Sequence, residues 1–220
     1  ERWLFGVDKL KKLVPGETPI LLIHGYFCNR GIWWWLRNQL EVKNYCVATL
    51  NLEPVYTHID NYVEQVKQRI DEIREVTGAA QVVLIGHSMG GLVARAYLRQ
   101  HGAQHVARLI TLGTPHRGTR LAYVAPGDNA RDMEPSSPWL AALNAAPATG
   151  LPPITSIYSE GDNLVMPQTN QRLEGAKNLP LTALGHLTLP FSEEVSKLVL
   201  AELAAAPSMP TSPEAQVIST

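Results

Sequence analysis

The chain has 220 residues, of which 45% are hydrophobic and 18% are charged, and its formal net charge is −1. This composition is typical of a globular protein and excludes a disordered chain, and the length suits one α/β domain. Because the chain has no long run of basic residues and no overall positive charge, we expect no nucleic-acid partner. It also lacks a stretch of about eighteen consecutive apolar residues, so the sequence predicts no transmembrane segment.

Two cysteines, Cys28 and Cys46, are the candidates for a disulfide. Cys46 lies near the start of one predicted strand and Cys28 just after the end of another, at opposite edges of a parallel sheet. Since a disulfide needs Cα atoms within about 7 Å, we expect two free thiols. The chain begins at Glu1 rather than Met, so removal of a leader or anchor stays an open alternative. The compartment (secreted, periplasmic or cytoplasmic) is not predicted.

Short apolar runs alternate with amphipathic segments along most of the chain. A run such as Ile20-Leu21-Leu22-Ile23 is typical of a strand buried on both faces, whereas residues 57–77 repeat apolar side chains at helical spacing up to Gly78. This alternation predicts an α/β fold, with a mostly parallel central sheet and helices on both faces. We expect strands at 19–23, 45–50, 81–85, 106–112, 154–158 and 179–184, and helices at 31–40, 57–77, from the turn after the third strand to about residue 100, and at 193–203.

Two segments fall outside this alternation. Residues 119–153 are rich in Ala, Pro and Asn, and they are long for a plain connection, with a short predicted helix near 139–144. Long insertions often cover sites, so we expect a small lid-like insertion within a single domain of residues 1–206. Residues 207–220 are rich in Pro, Ser and Thr and are predicted to form a disordered tail.

The most informative motif is Gly86-His87-Ser88-Met89-Gly90, which matches Gly-x-Ser-x-Gly. An apolar strand precedes it directly and an apolar helix follows, so Ser88 is predicted at a sharp turn between strand and helix. The glycines leave room for neighbouring backbone, and the start of the helix favours a developing negative charge. We therefore predict that Ser88 is a nucleophile rather than a simple helix cap.

A serine nucleophile needs a base, and the histidines downstream of Ser88 are the candidates. Folds with such a turn carry the nucleophile, the acid and the histidine in that order along the chain. His101 and His105 flank a turn at the other end of the sheet, and His116 precedes the candidate acid. His186 follows the last predicted strand, where the base belongs, so it is the predicted base.

The acid that orients the histidine is predicted to be Asp162. It lies in the loop Ser159-Glu160-Gly161-Asp162-Asn163, directly after the fifth predicted strand. An apolar stretch follows and could anchor this loop. Glu160 in the same loop, and Asp128 and Asp132 in the insertion, are the alternatives.

Two backbone N–H groups should stabilise the oxyanion that forms when a carbonyl is attacked. One is expected from Met89, the residue after the nucleophile, and the other from Tyr26 in the loop after the first strand. In that loop His24 is expected to have a structural role.

Three consecutive tryptophans, 33–35, follow this loop, and helix geometry prevents all three from facing one core. Either at least one lines an acyl pocket or is exposed, or all three pack against neighbouring segments.

Several motifs together resemble the bacterial lipase and esterase group of the α/β-hydrolase family. The resemblance runs from about residue 19 to 190. It implies ester hydrolysis by a Ser88–His186–Asp162 triad through an acyl-enzyme, without a cofactor. The stretches that carry it are His24-Gly25-Tyr26, Gly86-His87-Ser88-Met89-Gly90-Gly91, Leu112-Gly113-Thr114-Pro115-His116-Arg117-Gly118-Thr119, Met133-Glu134-Pro135-Ser136-Ser137-Pro138-Trp139-Leu140, and the loops of Asp162 and His186.

The chain departs from this group at one position. Larger lipases of this kind commonly bind calcium through an aspartate two residues after the catalytic histidine, and Thr188 stands there in this chain. We therefore expect no metal at that place. Asp128, Asp132 and Glu134 leave a different site open.

The resemblance and the residues favour a carboxylic ester hydrolase that acts on a small-molecule ester or lipid, with lipid-like or mid-chain esters expected. An acyltransferase, a thioesterase or a phospholipase would use the same residues and stays an alternative. A hydrolase fold without catalysis, used for binding, is the other alternative, but such proteins usually lack a member of the triad.

Overall fold

The computed structural model describes residue 8, residues 10–147 and residues 149–205. Within this part of the chain six strands form one sheet in the order β2-β1-β3-β4-β5-β6, and every neighbouring pair is parallel. This confirms the predicted α/β class with a parallel central sheet. The strands are β1 (Ile20–Ile23), β2 (Val47–Leu50), β3 (Val82–His87), β4 (Val106–Leu112), β5 (Ile154–Ser159) and β6 (Lys177–Leu181).

Helices cover both faces of the sheet. The longest are α1 (Trp34–Val42), α2 (Val63–Thr77), α3 (Met89–His101) and α6 (Glu193–Ala204), and two short ones are α4 (Asp128–Asp132) and α5 (Pro138–Ala145). α2 and α3 contribute to one apolar cluster, while α1 and α6 contribute to the other.

The apolar run in β1 explains why both faces need cover. Leu21 and Ile23 belong to the cluster under α2 and α3, whereas Ile20 and Leu22 belong to the opposite cluster. All four are fully buried. Burial of each such side chain contributes about 2 kcal/mol, so the alternation fixes the strand between the two helix layers.

Some element bounds differ from the predictions. The segment before α2, Ile59–Tyr62, is a 3-10 helix, and so is Arg30–Trp33 before α1. β6 ends at Leu181, three residues before the predicted end. Its last residue pairs with Ser159, where β5 also ends, and beyond this pair the backbone N–H of Leu184 donates to Ser159 Oγ at 3.0 Å.

The insertion 119–153 contains α4 and α5 and is held against the rest of the molecule. Asp132 accepts a hydrogen bond from the backbone N–H of Ile59 at 2.8 Å, and Asn129 donates to the Val55 carbonyl at 2.7 Å. The helix expected near 139–144 is confirmed as α5. The tail predicted at 207–220 lies outside the described residues.

Two further sequence predictions concern cysteines and membrane spans. Cys28 and Cys46 are both free, as expected. Within the described part of the chain, every helix is too short or too polar to span a bilayer.

Candidate active site

Ser88 lies at the turn between β3 and α3, in a backbone conformation that side chains rarely adopt. Its φ is +55° and its ψ is −126°. Its N–H donates to the Leu112 carbonyl at 2.8 Å, and its own carbonyl accepts from Thr114 Oγ1 at 2.9 Å. A conformation of this kind costs about 1–3 kcal/mol and persists where surrounding contacts enforce it, as at reactive sites.

The glycines around Ser88 are required by close backbone contacts. A Cβ on Gly25 would lie 2.7 Å from the Ser88 Cβ, and one on Gly86 would lie 2.5 Å from the Gly91 N. A Cβ on Gly90 would collide with the carbonyl of Ile23. The motif therefore lets the first-strand loop and the α3 N-terminus approach the serine from two sides.

Asp162 and His186 are brought together by the loops after β5 and β6. The carboxylate Oδ2 lies 2.7 Å from the imidazole Nδ1. The other oxygen, Oδ1, accepts from the backbone N–H groups of Leu164 and Val165, each at 2.8 Å. Since Nδ1 is bound to the carboxylate, Nε2 is the nitrogen that can accept a proton.

The His186 ring packs close to the turn that carries Ser88. A Cβ on Gly113 would lie 3.3 Å from both Cε1 and Nδ1 of this ring, and Gly113 follows Leu112, which binds the Ser88 N–H. The rings of His186 and His87 have centroids 4.9 Å apart. The loops of residues 88, 162 and 186 therefore meet at one edge of the sheet.

Two side chains outside the predicted triad hold these loops. Asn163 Oδ1 accepts the backbone N–H of His186 at 3.0 Å. Ser159 Oγ accepts from Gly161 at 3.1 Å and from Leu184 at 3.0 Å. Only the position of Asn163 next to Asp162 could have pointed to its role.

His87 is a neutral, buried member of the turn. Its Nε2 lies 3.1 Å from the His186 carbonyl, which can only accept, so Nε2 carries the proton. Burial, together with the neighbouring His186 and His24, lowers the pKa of His87 to about 3. Within the described chain, its buried Nδ1 has no hydrogen-bond partner. His87 therefore fixes the backbone of the His186 loop and stays uncharged near neutral pH.

The backbone N–H groups of Tyr26 and Met89 are the oxyanion donors that the sequence predicts. Met89 is the first residue of α3, where N–H groups lack partners inside the helix. Phe27, next to Tyr26, has a φ of +55°, which marks a constrained loop. The Tyr26 hydroxyl donates to the Pro126 carbonyl at 2.7 Å, so its side chain ties this loop to the insertion.

His24 and His116 have contacts that agree with structural roles. His24 Nδ1 lies 2.9 Å from the Gly25 carbonyl, and Nε2 accepts from the Leu52 N–H at 3.0 Å, which agrees with a structural role. His116 is fully buried with Thr111 at 3.1 Å and Arg95 at 3.3 Å.

The alternative acids have other surroundings. Asp132 accepts from Ile59 and lies 3.1 Å from His58, and Glu160 is exposed. Among the described residues, no group of three or more His, Cys, Asp or Glu side chains is arranged to hold a metal ion.

The three tryptophans separate, so the alternative in which all three are packed is wrong. Trp33 is fully buried, whereas Trp34 is 63% exposed and its ring lies 6.1 Å from that of Phe191. Phe191 follows the His186 loop, so an exposed aromatic pair lies next to that loop.

Comparisons with known proteins agree with this architecture. The alpha/beta hydrolase fold family matches residues 18–152. A triacylglycerol lipase of Pseudarthrobacter phenanthrenivorans is 34% identical over 112 residues, which cover 47% of this chain and 35% of the relative. One of Burkholderia plantarii is 34% identical over 112 residues, covering 47% and 31%. The chain thus spans about a third of these curated relatives.

Solved structures show the same fold. The mature form of the Bacillus licheniformis lipase BlEst2 has a TM-score of 0.79 at 19% identity, covering 89% of this chain and 96% of that one. The Aspergillus fumigatus lipase B has a TM-score of 0.77 at 20% identity, covering 87% and 54%. With the family match over more than half of its length, this chain belongs to the alpha/beta hydrolase fold family.

Proposed function

We propose that this chain is a carboxylic ester hydrolase with Ser88 as nucleophile, His186 as base and Asp162 as orienting acid. The observation that carries the proposal is the buried contact between Asp162 and His186 at 2.7 Å, beside a strained serine at the start of α3. A serine, an imidazole and a carboxylate in these roles are the parts that nucleophilic acyl transfer needs.

The reaction begins with proton transfer from Ser88 Oγ to His186 Nε2 as Oγ attacks the ester carbonyl carbon. The carbonyl oxygen becomes an oxyanion, which accepts hydrogen bonds from the N–H groups of Met89 and Tyr26. The carbon–oxygen bond to the alcohol then breaks, and His186 gives its proton to the leaving oxygen. The acyl group remains on Ser88.

Water completes the cycle by the same route. His186 Nε2 takes a proton from the water as its oxygen attacks the acyl carbonyl carbon. The bond to Ser88 Oγ breaks, His186 returns the proton to Oγ, and the carboxylic acid leaves. Asp162 keeps the protonated imidazole oriented and stabilises its charge throughout.

Lipid-like or mid-chain esters are the substrates that we propose. Exposed apolar side chains directly follow the proposed oxyanion donor and the proposed base in the sequence, and another lies at the start of α1. Phe27 is 70% exposed, Leu187 51% and Trp34 63%. An apolar acyl or alkyl chain would bury this surface. The names of the bacterial relatives, triacylglycerol lipases, favour the same class of substrate. We propose that residues 119–153 cover this site.

Acyl transfer to an alcohol is the second candidate. It uses the same acyl-enzyme but needs an acceptor alcohol in place of water. A human relative named 1-acylglycerol-3-phosphate O-acyltransferase ABHD5, 26% identical over 156 residues, motivates it. Product analysis in the presence of glycerol separates the two: free acid supports hydrolysis, and a new ester supports transfer.

The proposed function is tested with p-nitrophenyl esters of increasing acyl length. We expect release of p-nitrophenol with a maximum kcat/KM at an intermediate or long chain. A maximum at acetate would contradict the lipid-like substrate. Absence of hydrolysis across the series, by a folded protein, would contradict ester hydrolysis itself.

A further inference from the structure

A concave site whose wall does not include Ser88 lies on another part of the molecule. It is a cleft of about 990 Å³ beside α3 and α5, and we call it the arginine cleft. Its wall reaches Ile154 at the start of β5 and Ala176 just before β6. Parallel strands begin at the sheet edge opposite their carboxyl ends, so much of the cleft is remote from the proposed chemistry. The residues that we assign to the reaction, 26, 88, 89, 162 and 186, are absent from its wall.

The wall of the arginine cleft carries an excess of positive charge. One of its arginines, Arg99, is compensated, because it pairs with Asp60 at 3.1 Å and lies over the Trp139 ring. Within the described chain the other three have no carboxylate within 4.0 Å. The charged residues of the wall are Arg95, Arg99, Arg117, Arg172 and Glu174.

Arg95 is the arginine whose surroundings most clearly call for an anion. Its guanidinium has five N–H donors. Three contacts hold it, to His116 Nδ1 at 3.3 Å, the Leu143 carbonyl at 3.4 Å and Asn144 Oδ1 at 2.9 Å. None of these three acceptors carries a full negative charge. Two donors therefore remain, on a partly buried cation that has no counter-ion among the described residues.

His116 does not change this balance. Its ring is neutral, because burial and the charge of Arg95 hold its pKa well below the ordinary value. Burial and Arg99 also lower the pKa of Arg95, to about 10, so the guanidinium is still charged near neutral pH. A desolvated charge without a partner is costly, and an incoming anion would offset that cost.

Several apolar side chains line the wall as well, beside the polar His116, Asn144 and Thr149. Leu98 on α3, Leu143 on α5, and Leu151, Pro152 and Leu173 face the same space. A small inorganic anion would leave these side chains in contact with water. A ligand with a charged head and an aliphatic chain would satisfy both halves of the cleft.

We propose that the arginine cleft binds an anionic amphiphile, in which a carboxylate or phosphate head contacts Arg95, Arg117 and Arg172 and an aliphatic chain contacts the leucines. Planar guanidinium groups bind both heads in a bidentate way, so the head chemistry is shared between fatty acids and phosphate-bearing lipids. The proposal does not depend on ester hydrolysis, because the site uses none of the residues assigned to it.

The proposal is tested by titration calorimetry on the full chain with octyl phosphate, octanoate, octanol and inorganic phosphate. We expect one octyl phosphate or octanoate per chain, bound more tightly than inorganic phosphate. Arg95→Gln and Arg172→Gln should each weaken this binding about tenfold, since each removes a charged hydrogen-bond donor. Arg131→Gln is the matched control, because Arg131 is an exposed arginine outside the cleft and pairs with Asp128. The Arg131→Gln variant should bind octyl phosphate and octanoate as tightly as the wild type does.

The outcomes separate clearly. Equal affinity in the wild type and the cleft variants would show that the amphiphile binds elsewhere and would overturn the proposal. Equal affinity for octyl phosphate and inorganic phosphate would show that the aliphatic chain does not contribute to binding. Binding of octanol that does not depend on the arginines would show that an anionic head group is not required. Either result would overturn the proposal. If Arg95→Gln fails to fold, Arg117→Gln combined with Arg172→Gln decides, because both side chains are exposed. The head group that binds more tightly, phosphate or carboxylate, identifies the source.

Discussion

The Asp162 carboxylate binds the His186 imidazole at 2.7 Å, and neither side chain is more than 3% exposed. The carboxylate is held in turn by the N–H groups of Leu164 and Val165. A buried carboxylate with all of its partners in place fixes the tautomer of the histidine, with the proton on Nδ1. The proposed base is therefore oriented before any substrate binds.

Asp162→Asn and His186→Ala should each be nearly inactive, whereas His116→Ala should keep much of its rate. Loss of a member of a triad commonly costs several powers of ten in kcat. His116 contacts Thr111 and Arg95 instead, so its loss should lower the melting temperature but leave much of kcat. The kcat of each purified variant on one p-nitrophenyl ester measures this. An inactive His116→Ala beside an active His186→Ala would show that the base is assigned wrongly.

Asn163→Ala should lower kcat about tenfold with little change in KM. Asn163 Oδ1 accepts the His186 N–H at 3.0 Å, so the variant loses one hydrogen bond that positions the base. Asn163→Asp keeps an acceptor at the same place and is the control, with a rate closer to the wild type. If both variants lose the same rate, or if only KM changes, Asn163 does not position His186 in this way.

The stability of the fold should fall as the pH drops from about 6.5 towards 3. His87 has a pKa of about 3 in the folded chain, below the ordinary 6.5, so between these values the unfolded chain binds a proton that the folded chain does not. Above pH 6.5, His87 is neutral in both states and costs no stability. Below that pH, its titration lowers the free energy of unfolding by about 1 kcal/mol per pH unit. His116, whose pKa is also lowered, adds a change of the same sign.

Melting temperatures between pH 7 and pH 4 measure this effect. His87→Gln keeps a donor for the His186 carbonyl and does not titrate, so its curve should be flatter than that of the wild type. His101→Gln, which replaces an exposed histidine, is the control and should follow the wild type. Parallel curves for all three proteins would refute the role given to His87.

EDTA should leave both activity and the melting temperature almost unchanged. Thr188 lies two residues after the proposed base, and the loop around it has no carboxylate up to Glu193, whereas a bound calcium ion usually needs several. Removal of a tightly bound ion would cost about 4 kcal/mol of stability at a thousandfold excess over Kd, or roughly 8–16 °C in a domain of this size. A drop of that size, reversed specifically by calcium, would reveal a metal site.

Local patterns carried much of the fold prediction. β4 has the bounds predicted from its continuous apolar run, 106–112, and α2 ends directly before Gly78, which adopts a left-handed conformation. The turn at Ser88 was also recognisable, because glycine spacing and the flanking apolar runs are local features. The pairing of Asp162 with His186 followed from the order of loops along a parallel sheet.

Contacts between distant loops could not be predicted in this way. The hydrogen bond from the Leu184 N–H to Ser159 Oγ, just beyond the end of β6, joins residues 25 positions apart, and no sequence period marks it. The same holds for Asn163, whose amide looks like that of any polar loop residue. The arginine cleft is assembled from four separate segments, so its local positive charge could not be predicted from a chain of net charge −1.

Peptide mass spectrometry after reaction with a fluorophosphonate tests the identity of the nucleophile most directly. The reagent modifies a serine only where a base activates it, so we expect one adduct per chain, on the peptide that contains Ser88. Ser88→Ala should fold with an unchanged melting profile, carry no adduct and hydrolyse no ester. An adduct on another residue, or full ester hydrolysis by folded Ser88→Ala, would show that Ser88 is not the nucleophile.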